Sequence, residues 1–565
     1  MAYIDALNKR LNRLYGGKVQ AFENRGCLHL NGELGDWQQI VQAGLVSVNK
    51  RYIGVVNEIR LSGRDVPPMK LPPVSDLTLD GTQPDVLVIG GGIVGCAAAR
   101  ELKRFKLDVM LVEKEHDVAL HASSRNDGMI HPGIDLHNGQ LKKRYNDLGN
   151  KMAEQVCAEL DVPFKKTGQY LCFIHWWMKP VIAAAQLYWK ALKVPVRYVS
   201  REELKQKEPN LNDQISCALF FPTAGTVCPY GLTVAFAENA VDNGAKLCLD
   251  TAVTGMQVSG RHIHSVLTNR GRVYPRLIIN AAGVFSEEIA KLSKDHFFSI
   301  HPRKGTNIIL DKKAAYLVNT IASSLGSVDK KMAHSKGGGI VHTVDGNLLV
   351  GPNAVETCER ENFETDRDSI KKIFAKQRIT CPSLNENDII TYFTGVRAAT
   401  YEEDFIVSFG KFTDNIIHAA GIQSPGLTAA PAIAADVAKM AAIYLGAAKN
   451  DNFNPFHTCI IRTADMPLSE RNELITKDAD YGVIVCRCEE VSRAEIRDAL
   501  HRSVPCDSVD GVKRRVRAGM GRCQGGFCGP AVAQIIAHEL NIPIEQVRKS
   551  VYNSEILLGS NKEDA

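Results

Sequence analysis

A glycine-rich turn between two short apolar stretches is the feature that most constrains how this chain can fold. The stretch Val86–Ile89 is apolar and rich in β-branched residues, as in a buried parallel strand. After it, a helix is predicted over about 93–105, and a second strand, Val109–Val112, ends at Glu113. The glycines between the first strand and the helix have the G-x-G-x-x-G spacing: Gly90, Gly92 and Gly95. The sequence therefore predicts a dinucleotide site, because an ordinary strand–helix–strand turn would leave Glu113 unexplained.

Composition argues against several classes of partner. The 565 residues carry a net charge of +5, which favours neither a nucleic-acid partner nor a polybasic membrane anchor. The most apolar long stretch, 429–448, is interrupted by Asp436 and Lys439, so we expect a core helix there. The first residues lack the apolar core of a signal peptide, and fifteen cysteines suit a reducing compartment. We therefore expect a cytoplasmic protein, or one held at the inner membrane face through a partner.

Turn-forming residues and apolar patterns divide the chain into five segments of an α/β and α+β protein. In the first segment, strands are predicted at 27–30 and 53–61 around a helix at 37–48. This module loosely resembles BON-type modules, which bind membranes or partners, and a plain structural appendage is the alternative. The segments are 1–65, the small α/β module; 66–84, a proline-rich linker; 85–448, a Rossmann-type domain interleaved with a β-rich substrate domain; 449–480, a polar linker; and 481–565, a small cysteine module.

The chain contains one complete dinucleotide motif. The glycines at 337–339 lack a third glycine and a leading apolar strand, so they do not form a second motif. Enzymes that reduce a flavin with a nicotinamide usually carry two such units, so a single unit favours a flavin that the substrate itself reduces. Further elements are predicted as a β-rich stretch at 166–174, a helix at 231–243, strands at 277–280 and 416–419, and a helix from 428.

A series of short motifs across roughly 85–435 resembles the FAD-dependent oxidoreductases of the D-amino-acid-oxidase superfamily. The resemblance is closer to the branch that contains L-2-hydroxyglutarate oxidases and glycerol-3-phosphate dehydrogenases, and it implies FAD as the cofactor. Besides the glycine turn, the motifs are SSRNDGMIHPGI at 123–134, EPNL at 208–211, AGTVCPYG at 224–231, NAAG at 280–283, PRKG at 302–305, VDGNLLVGP at 344–352, TGVR at 394–397 and GIQSPGLT at 421–428.

The resemblance also implies which residues hold FAD. The hydroxyl- and amide-rich loop at 123–128 can donate hydrogen bonds to phosphate and flavin ring, with a solvated loop as the alternative. The helix after 421–427 can direct its N-terminus at flavin O2 and N1, where reduction builds negative charge. The residues implied in FAD binding are Gly90, Gly92, Gly95, Glu113, Ser123, Ser124, Asn126, Asp127, Gly128, Ala282, Gly283, Gly421, Ile422, Ser424, Pro425, Gly426 and Leu427.

Three residues are candidates for substrate chemistry. Arg397 is the first, because a guanidinium binds carboxylate or phosphate bidentately and stays charged. His131 is the candidate base for the hydroxyl proton as hydride leaves the carbon, and a histidine that only bonds flavin or backbone is the alternative. Lys304 is expected to add positive charge near the ring, and a lysine that only makes structural bonds is the alternative. The stretch 400–404 is unusually acidic and would disfavour a dianionic substrate if it lined the pocket.

Four cysteines near the C-terminus form a C-x-C pair followed by a C-x4-C pair: Cys486, Cys488, Cys523 and Cys528. Four thiolates in two close pairs suit a [2Fe–2S] cluster or tetrahedral zinc, and a flavin in the same chain favours the cluster. The pattern resembles the bacterioferritin-associated-ferredoxin-like [2Fe–2S] domain, including its helix after the last cysteine. Five nearby cations are expected either to dock an acidic electron-transfer partner or to form a solvated helix face: Lys513, Arg514, Arg515, Arg517 and Arg522.

Together these features predict an FAD-dependent dehydrogenase that oxidises a small anionic secondary alcohol and passes electrons through the cluster to a partner subunit or a quinone. The fusion of flavin and cysteine modules resembles the large subunit of anaerobic glycerol-3-phosphate dehydrogenases, and it narrowly favours glycerol-3-phosphate. The flavin-domain motifs lean instead toward L-2-hydroxyglutarate, and an amino-acid substrate is a third alternative. A redox-sensing or assembly protein with structural flavin and metal is the alternative from another class. The oligomeric state stays open.

Overall fold

A computed structural model describes residues 2–325 and 338–559, and it has the predicted mixture of α/β and α+β structure. Gly337 of the glycine run lies outside the described residues. Within the described ranges the α-helices are α1 (Ala2–Tyr15), α2 (Trp37–Ser47), α3 (Ile93–Leu102), α4 (Leu141–Glu159), α5 (Lys179–Ala191), α6 (Arg201–Lys207), α7 (Pro229–Asp242), α8 (Ser286–Leu292), α9 (Arg367–Gln377), α10 (Gly426–Leu445), α11 (Leu468–Lys477), α12 (Arg493–Leu500), α13 (Val509–Val516) and α14 (Gly529–Leu540).

The strands of the same ranges build two large sheets and several small ones. They are β1 (Val19–Asn24), β2 (Cys27–Leu34), β3 (Val55–Leu61), β4 (Val86–Ile89), β5 (Val109–Val112), β6 (Met129–Ile130), β7 (Phe164–Lys165), β8 (Gln169–Phe173), β9 (Arg197–Ser200), β10 (Cys217–Phe221), β11 (Gly225–Val227), β12 (Lys246–Cys248), β13 (Val253–Ser259), β14 (His262–Thr268), β15 (Gly271–Val273), β16 (Leu277–Asn280), β17 (Ile300–Leu310), β18 (Ile321–Leu325), β19 (Gly339–His342), β20 (Leu348–Gly351), β21 (Val355–Glu356), β22 (Ile389–Thr400), β23 (Ile406–Phe409), β24 (Ile416–Ala420), β25 (Ile484–Cys486) and β26 (Val491–Ser492).

The first large sheet has the order β12-β5-β4-β16-β24-β23, with parallel pairing throughout except between β23 and β24. Strands β4, β5 and β16 lie where the sequence predicts them, because a strand buried on both faces reads as a continuous apolar run. Helix α3 ends at Leu102, three residues before the predicted end. Helices α3, α4, α7 and α10 contribute to the apolar core of this sheet.

The second large sheet has the order β21-β17-β20-β19-β18-β8-β10-β9, and β22 also pairs with β17. The β17–β22 ladder is antiparallel and pairs Arg303 with Arg397, and Lys304 with Val396. Since residues opposite one another share a face and successive residues alternate, this register decides which of these side chains can meet.

The N-terminal module contains the predicted strands and helix, as β2, β3 and α2. The sequence-based prediction missed α1 and β1, which complete its core. The module packs on the end of β22: Asn57 donates from Nδ2 to the hydroxyl of Tyr401 at 2.8 Å, and the N–H of Val55 donates to Glu402 at 2.8 Å. A Cβ at Gly44 would lie 2.2 Å from the Tyr401 ring, so glycine is needed for this contact.

Helix α10 is long and apolar enough to cross a membrane by length and composition. However, 61% of the most apolar window is buried inside the protein, where α10 packs against α3 and α4. It is a core helix of the first large sheet, as the sequence predicts.

Candidate active site and metal centre

The glycine turn brings backbone segments closer together than side chains would allow. Gly90 has a φ of +110°, and a Cβ there would lie 2.5 Å from the carbonyl oxygen of Ala281. A Cβ at Gly95 would lie 1.9 Å from the carbonyl oxygen of Gly90, so this glycine lets α3 approach the turn. Gly92 caps α3 without a side-chain hydrogen bond. The N-terminus of α3 can therefore receive an anion from close range.

Glu113 closes the turn from the end of β5. Its carboxylate accepts the N–H groups of Gly91 at 2.5 Å and Glu115 at 2.9 Å. Burial raises the pKa of Glu113, and the nearby imidazole of His121 opposes this shift. Gly91 was missing from the predicted set. A Cβ there would lie 2.9 Å from Cβ of Glu113. The signal that could have found Gly91 is its place in the middle of three consecutive glycines, 90–92.

The loop at 123–128 folds over the start of α3. Ser123 Oγ accepts the N–H of Ile93 at 2.8 Å, at the helix end where a phosphate would bind. Asn126 bonds within the loop, since its Oδ1 accepts the N–H of Gly128 and its Nδ2 donates to two carbonyl oxygens. Ser124 Oγ likewise donates to a carbonyl oxygen of the preceding turn. These contacts shape the loop, and the role predicted for it in binding phosphate and flavin stays a prediction.

A cavity of about 790 Å³, including its open mouth, lies between the glycine turn and the loop. Several residues predicted to bind FAD line this cavity, together with residues from the segment 66–84 and from β22 that were not predicted. The walls are formed by Met69, Gly90, Gly92, Glu113, Lys114, Ser123, Thr251, Ala282, Gly283, Phe285 and Val396, among others. The size and polar turn fit a nucleotide portion of a cofactor.

The turn at 421–427 and the loop containing His131 meet at the start of α10. Gly421 has a φ of +66°, and Pro425, the cap residue of α10, follows Ser424 through a cis peptide bond. The N–H of His131 donates to Thr428 Oγ1 at 2.8 Å, which ties the two segments together. The structure thus brings together two segments that lie far apart in the sequence: the turn predicted to face flavin O2 and N1, and the histidine predicted to act on the substrate hydroxyl.

The ring of His131 is buried and oriented by backbone. Its Nδ1 accepts the N–H of Gly133 at 3.0 Å, so the neutral imidazole carries its hydrogen on Nε2. In that tautomer Nε2 is a hydrogen-bond donor. For His131 to act as a base at Nε2, the ring hydrogen must move to Nδ1, which breaks the bond from Gly133. Its predicted catalytic role stays a prediction.

Arg397 and Arg303 are neighbours on one face of the β17–β22 ladder, but only Arg303 is neutralised. Arg303 forms ion pairs with Glu356 and Glu403, both at 2.6 Å. Arg397 donates to the carbonyl oxygen of Asn353 at 3.3 Å from both terminal nitrogens. No carboxylate of the described residues lies within 4.0 Å of its guanidinium nitrogens. Burial lowers the pKa of Arg397 to about 10, and the negative charge of Asp127 in the loop at 123–128 partly offsets this by raising it.

Gly305 makes the space that the Arg397 guanidinium occupies. A Cβ at Gly305 would lie 2.3 Å from Nη2 of Arg397. Neither Gly305 nor Asn353 was among the predicted site residues. The PRKG motif contained Gly305, but only the pairing of two distant strands reveals its role.

Lys304 does not lie beside Arg397. It stands opposite Val396 and so projects from the other face of the ladder, where Nζ donates to Asn362 at 2.9 Å. The structure therefore separates the two cations predicted for the substrate region. Because Val396 lines the cavity, the Lys304 face is the one toward the nucleotide portion.

The acidic stretch at 400–404 is engaged in structural contacts. Glu403 pairs with Arg303, Glu402 accepts the N–H of Val55, and Asp404 accepts two backbone N–H groups at the start of α4. The contacts of these carboxylates remove the reason for doubting a dianionic substrate.

The four predicted metal-binding cysteines converge in the C-terminal unit. Sγ of Cys488 and Sγ of Cys523 lie 3.8 Å apart, and Cys486 and Cys528 are hydrogen-bonded to each other. Backbone N–H groups also point at the sulfurs. Cys486 receives those of residues 488, 489 and 519, and Cys523 those of residues 525–527. Such N–H donors stabilise the negative charge of a thiolate-bound cluster, so these residues fit a [2Fe–2S] group.

Most of the cations at 513–522 join the C-terminal unit to loops of the two large sheets. Arg515 forms a bidentate pair with Asp117, with both distances 2.9 Å, and Arg517 donates to Asp345 and Glu489 at 2.9 Å. Arg515 and Arg517 therefore form neither a partner-docking patch nor a solvated helix face, and both predictions are wrong for these two residues. The pattern of charges could not reveal this, because the compensating carboxylates are distant in sequence.

Comparisons with known proteins agree with this geometry. The model of the FAD dependent oxidoreductase family matches residues 85–440, and that of the BFD-like [2Fe-2S] binding domain matches residues 484–538. The chain is 38% identical over 487 residues to a glycerol 3-phosphate dehydrogenase of Caloramator mitchellensis, covering 85% of this chain and 99% of the relative. It is 26% identical over 413 residues to the mitochondrial L-2-hydroxyglutarate dehydrogenase of Mus musculus, covering 62% and 87%.

Among solved structures, the chain is similar to the dithionite-reduced L-alpha-glycerophosphate oxidase of Mycoplasma pneumoniae with FAD bound. The TM-score is 0.60 at 28% identity, covering 66% of this chain and 98% of that one. The glycine turn, Glu113 and the cavity fit FAD, and the family match confirms FAD as the predicted cofactor. The four sulfurs and their N–H donors fit a [2Fe–2S] cluster. The match to the BFD-like domain confirms this cluster, rather than zinc, as the second cofactor. The chain thus belongs to the FAD dependent oxidoreductase family and joins its flavin domain to a BFD-like [2Fe–2S] domain.

Proposed function

We propose that this enzyme is a dehydrogenase for sn-glycerol 3-phosphate. The observation that carries the proposal is the unneutralised guanidinium of Arg397, half-buried beside the flavin loop while its neighbour Arg303 is paired twice. A half-buried cation without a carboxylate partner favours an anionic ligand, since the ligand restores the electrostatic stabilisation that is lost when water is excluded.

The similarity to a glycerol 3-phosphate dehydrogenase across 85% of this chain supports the phosphate ester over other anions. That relative spans the flavin domain and extends beyond it, whereas the L-2-hydroxyglutarate dehydrogenase of Mus musculus covers 62% of this chain. The dicarboxylate 2-hydroxyglutarate is the second candidate, because one guanidinium fork suits either a carboxylate or a phosphate.

Each cofactor and site residue has a separate role in the oxidation. Bound FAD supplies a two-electron acceptor, and the [2Fe–2S] cluster supplies a one-electron carrier. Arg397 binds the phosphate and orients the alcohol carbon. Thr428 positions the backbone of His131, and its ring contacts the hydroxyl oxygen. The ring can accept the hydroxyl proton at Nε2 once its own hydrogen has moved to Nδ1 and the bond from Gly133 has broken. The last electron acceptor is a partner subunit or a quinone.

Anaerobic mixing with a panel of substrates tests the proposal. Glycerol 3-phosphate, L-2-hydroxyglutarate and several amino acids are each added to the holoenzyme, and the loss of oxidised-flavin absorbance is followed. We expect glycerol 3-phosphate to reduce the flavin fastest, and Arg397→Ala to raise its KM by at least about a hundredfold, the equivalent of about 2.7 kcal/mol. FAD content should not change. Faster reduction by another member would reassign the substrate, and an unchanged KM would remove Arg397 from the site.

A further inference from the structure

The outer face of α5, with the turn before it, is an exposed apolar surface. Trp176 is 74% exposed, Trp177 59%, Leu187 67% and Tyr188 50%. We call these four residues the α5 patch. Large apolar side chains concentrated in one short segment are uncommon on a protein surface and mark an interaction site.

Helix α5 is apolar on two sides, although only one side faces the core. The inner stripe includes Ile182 and Trp189, which pack in a cluster with Ile134, Val194 and Phe221. The outer stripe recurs at helical spacing and is exposed throughout: Pro180, Ala183, Ala184, Leu187, Tyr188 and Ala191. Packing inside the protein explains why the inner stripe is apolar, but it does not explain the outer stripe. The outer stripe is therefore free to contact another protein or a lipid surface.

The charges around α5 indicate what binds the outer stripe. From Val162 to Arg201 the chain has seven Lys and Arg residues and no Asp or Glu. The lysines nearest the patch, Lys179, Lys190 and Lys193, are exposed, and none forms an ion pair with a carboxylate of the described residues. Lysine is depleted in protein–protein interfaces, whereas Trp, Tyr and Lys together are enriched where helices lie at a lipid headgroup layer.

We propose that the α5 patch binds the surface of an anionic lipid bilayer, with α5 lying in the interface plane. The tryptophans and Leu187 would enter the boundary between headgroups and acyl chains, and the three lysines would contact lipid phosphates. Because α5 packs on Ile134 and Val194, the lipid-facing segment adjoins the loop that follows His131. The enzyme would thus be a peripheral membrane protein through its own surface.

Flotation of the full-length holoenzyme with vesicles tests this inference. We expect binding to vesicles that contain phosphatidylglycerol, weak binding to phosphatidylcholine alone, and loss of binding as salt screens the lysines. The triple variant Trp176→Ser/Trp177→Ser/Leu187→Ser should lower vesicle partition at least about ten-fold. Leu468→Ser is the matched control, because Leu468 is also 74% exposed but lies on α11.

Fluorescence gives a second readout. The chain has four tryptophans, and two of them belong to the patch, so anionic vesicles should shift the emission of the wild type to shorter wavelength. The triple variant should show no such shift. Three results would overturn the inference: no vesicle binding by the wild type, equal binding by the variant, or a wild-type dimer that the variant converts to a monomer. These assays contain no substrate, so their outcome is independent of which alcohol the enzyme oxidises.

Discussion

Arg515 and Asp117 form a bidentate ion pair between the cluster unit and the loop that follows Glu113, and each side chain is only 2% exposed. Tyr230 completes the contact: its hydroxyl donates to Asp117 at 2.8 Å and accepts from Arg515 at 2.8 Å. Burial alone would raise the pKa of Asp117, but Arg515 outweighs it and keeps that pKa below its usual range. The unit that carries the cluster is thereby held against the loop that follows Glu113.

Removing Arg515 should separate the two redox units. Arg515→Ala leaves the carboxylate of Asp117 buried without its main partner, a loss of roughly 3–5 kcal/mol. In stopped-flow experiments we expect substrate to reduce the flavin at the wild-type rate and the cluster much more slowly. Arg522→Ala is the control, since the Arg522 side chain is 66% exposed and its pairing with Asp311 should contribute at most about 1 kcal/mol. Equal cluster reduction in both variants would show that the ion pair is not needed for transfer.

Gly305→Ala should act on substrate binding through Arg397. The new Cβ would lie 2.3 Å from Nη2 of Arg397, so the guanidinium must move. We expect KM for the anionic substrate to rise at least about ten-fold with FAD content unchanged, because a displaced fork loses its bidentate contact. Gly255→Ala serves as control, since its Cβ would meet only Leu267 at an ordinary 3.6 Å. A wild-type KM in Gly305→Ala would mean that the guanidinium can relax without cost.

The pH dependence of kcat/KM should report the charge of Arg397. Burial lowers the pKa of Arg397, so the free enzyme loses this cation at a lower pH than an exposed arginine would. An anionic substrate favours the protonated form and raises the pKa in the complex. We therefore expect kcat/KM to fall at the alkaline end of the range in which the enzyme stays folded while kcat stays level, because kcat/KM reports the free enzyme. Parallel loss of kcat would point to another group or to unfolding, which circular dichroism at the same pH distinguishes.

Glu113→Gln should weaken FAD binding. The two carboxylate oxygens accept the N–H groups of Gly91 and Glu115, and an amide would turn one of these contacts into a donor facing a donor. The loss of an acceptor for the ribose adds to this, and we expect the Kd for FAD to rise at least about ten-fold, about 1.4 kcal/mol. Fluorescence titration of the apoprotein with FAD measures it. An unchanged Kd would exclude Glu113 from the ribose site.

Cys488→Ser should remove the cluster and leave the flavin. Cys488 is the exposed member of the sulfur group, 3.8 Å from Cys523, and a hydroxyl is a poor ligand for cluster iron. We expect loss of iron and acid-labile sulfide, with substrate still reducing the flavin. Cys506→Ser is the control, because Cys506 is buried nearby and its Sγ donates to the carbonyl oxygen of Ala499. Retention of a full cluster in Cys488→Ser would assign the ligand elsewhere.

Much of the flavin domain could be predicted because its signals are local. Strand β4, the glycines and Glu113 lie within one short segment, where apolar runs and glycine spacing directly reflect backbone geometry. The paired cysteines are equally local. Helix α1 and strand β1 were missed altogether, since α1 is a polar helix whose apolar residues pack on strands that follow it.

The sequence by itself determined the nucleotide turn, the order of the family motifs and the cysteine spacing, since each depends on residues close together in the chain. Only the tertiary structure decided the pairing of the arginines. It neutralised Arg303 with Glu356 and Glu403, left Arg397 with a backbone carbonyl as its hydrogen-bond partner, and turned Arg515 inward to Asp117. The physical reason is that a charge is stabilised by what lies within a few ångströms of it, and those neighbours come from strands and loops far apart in the sequence.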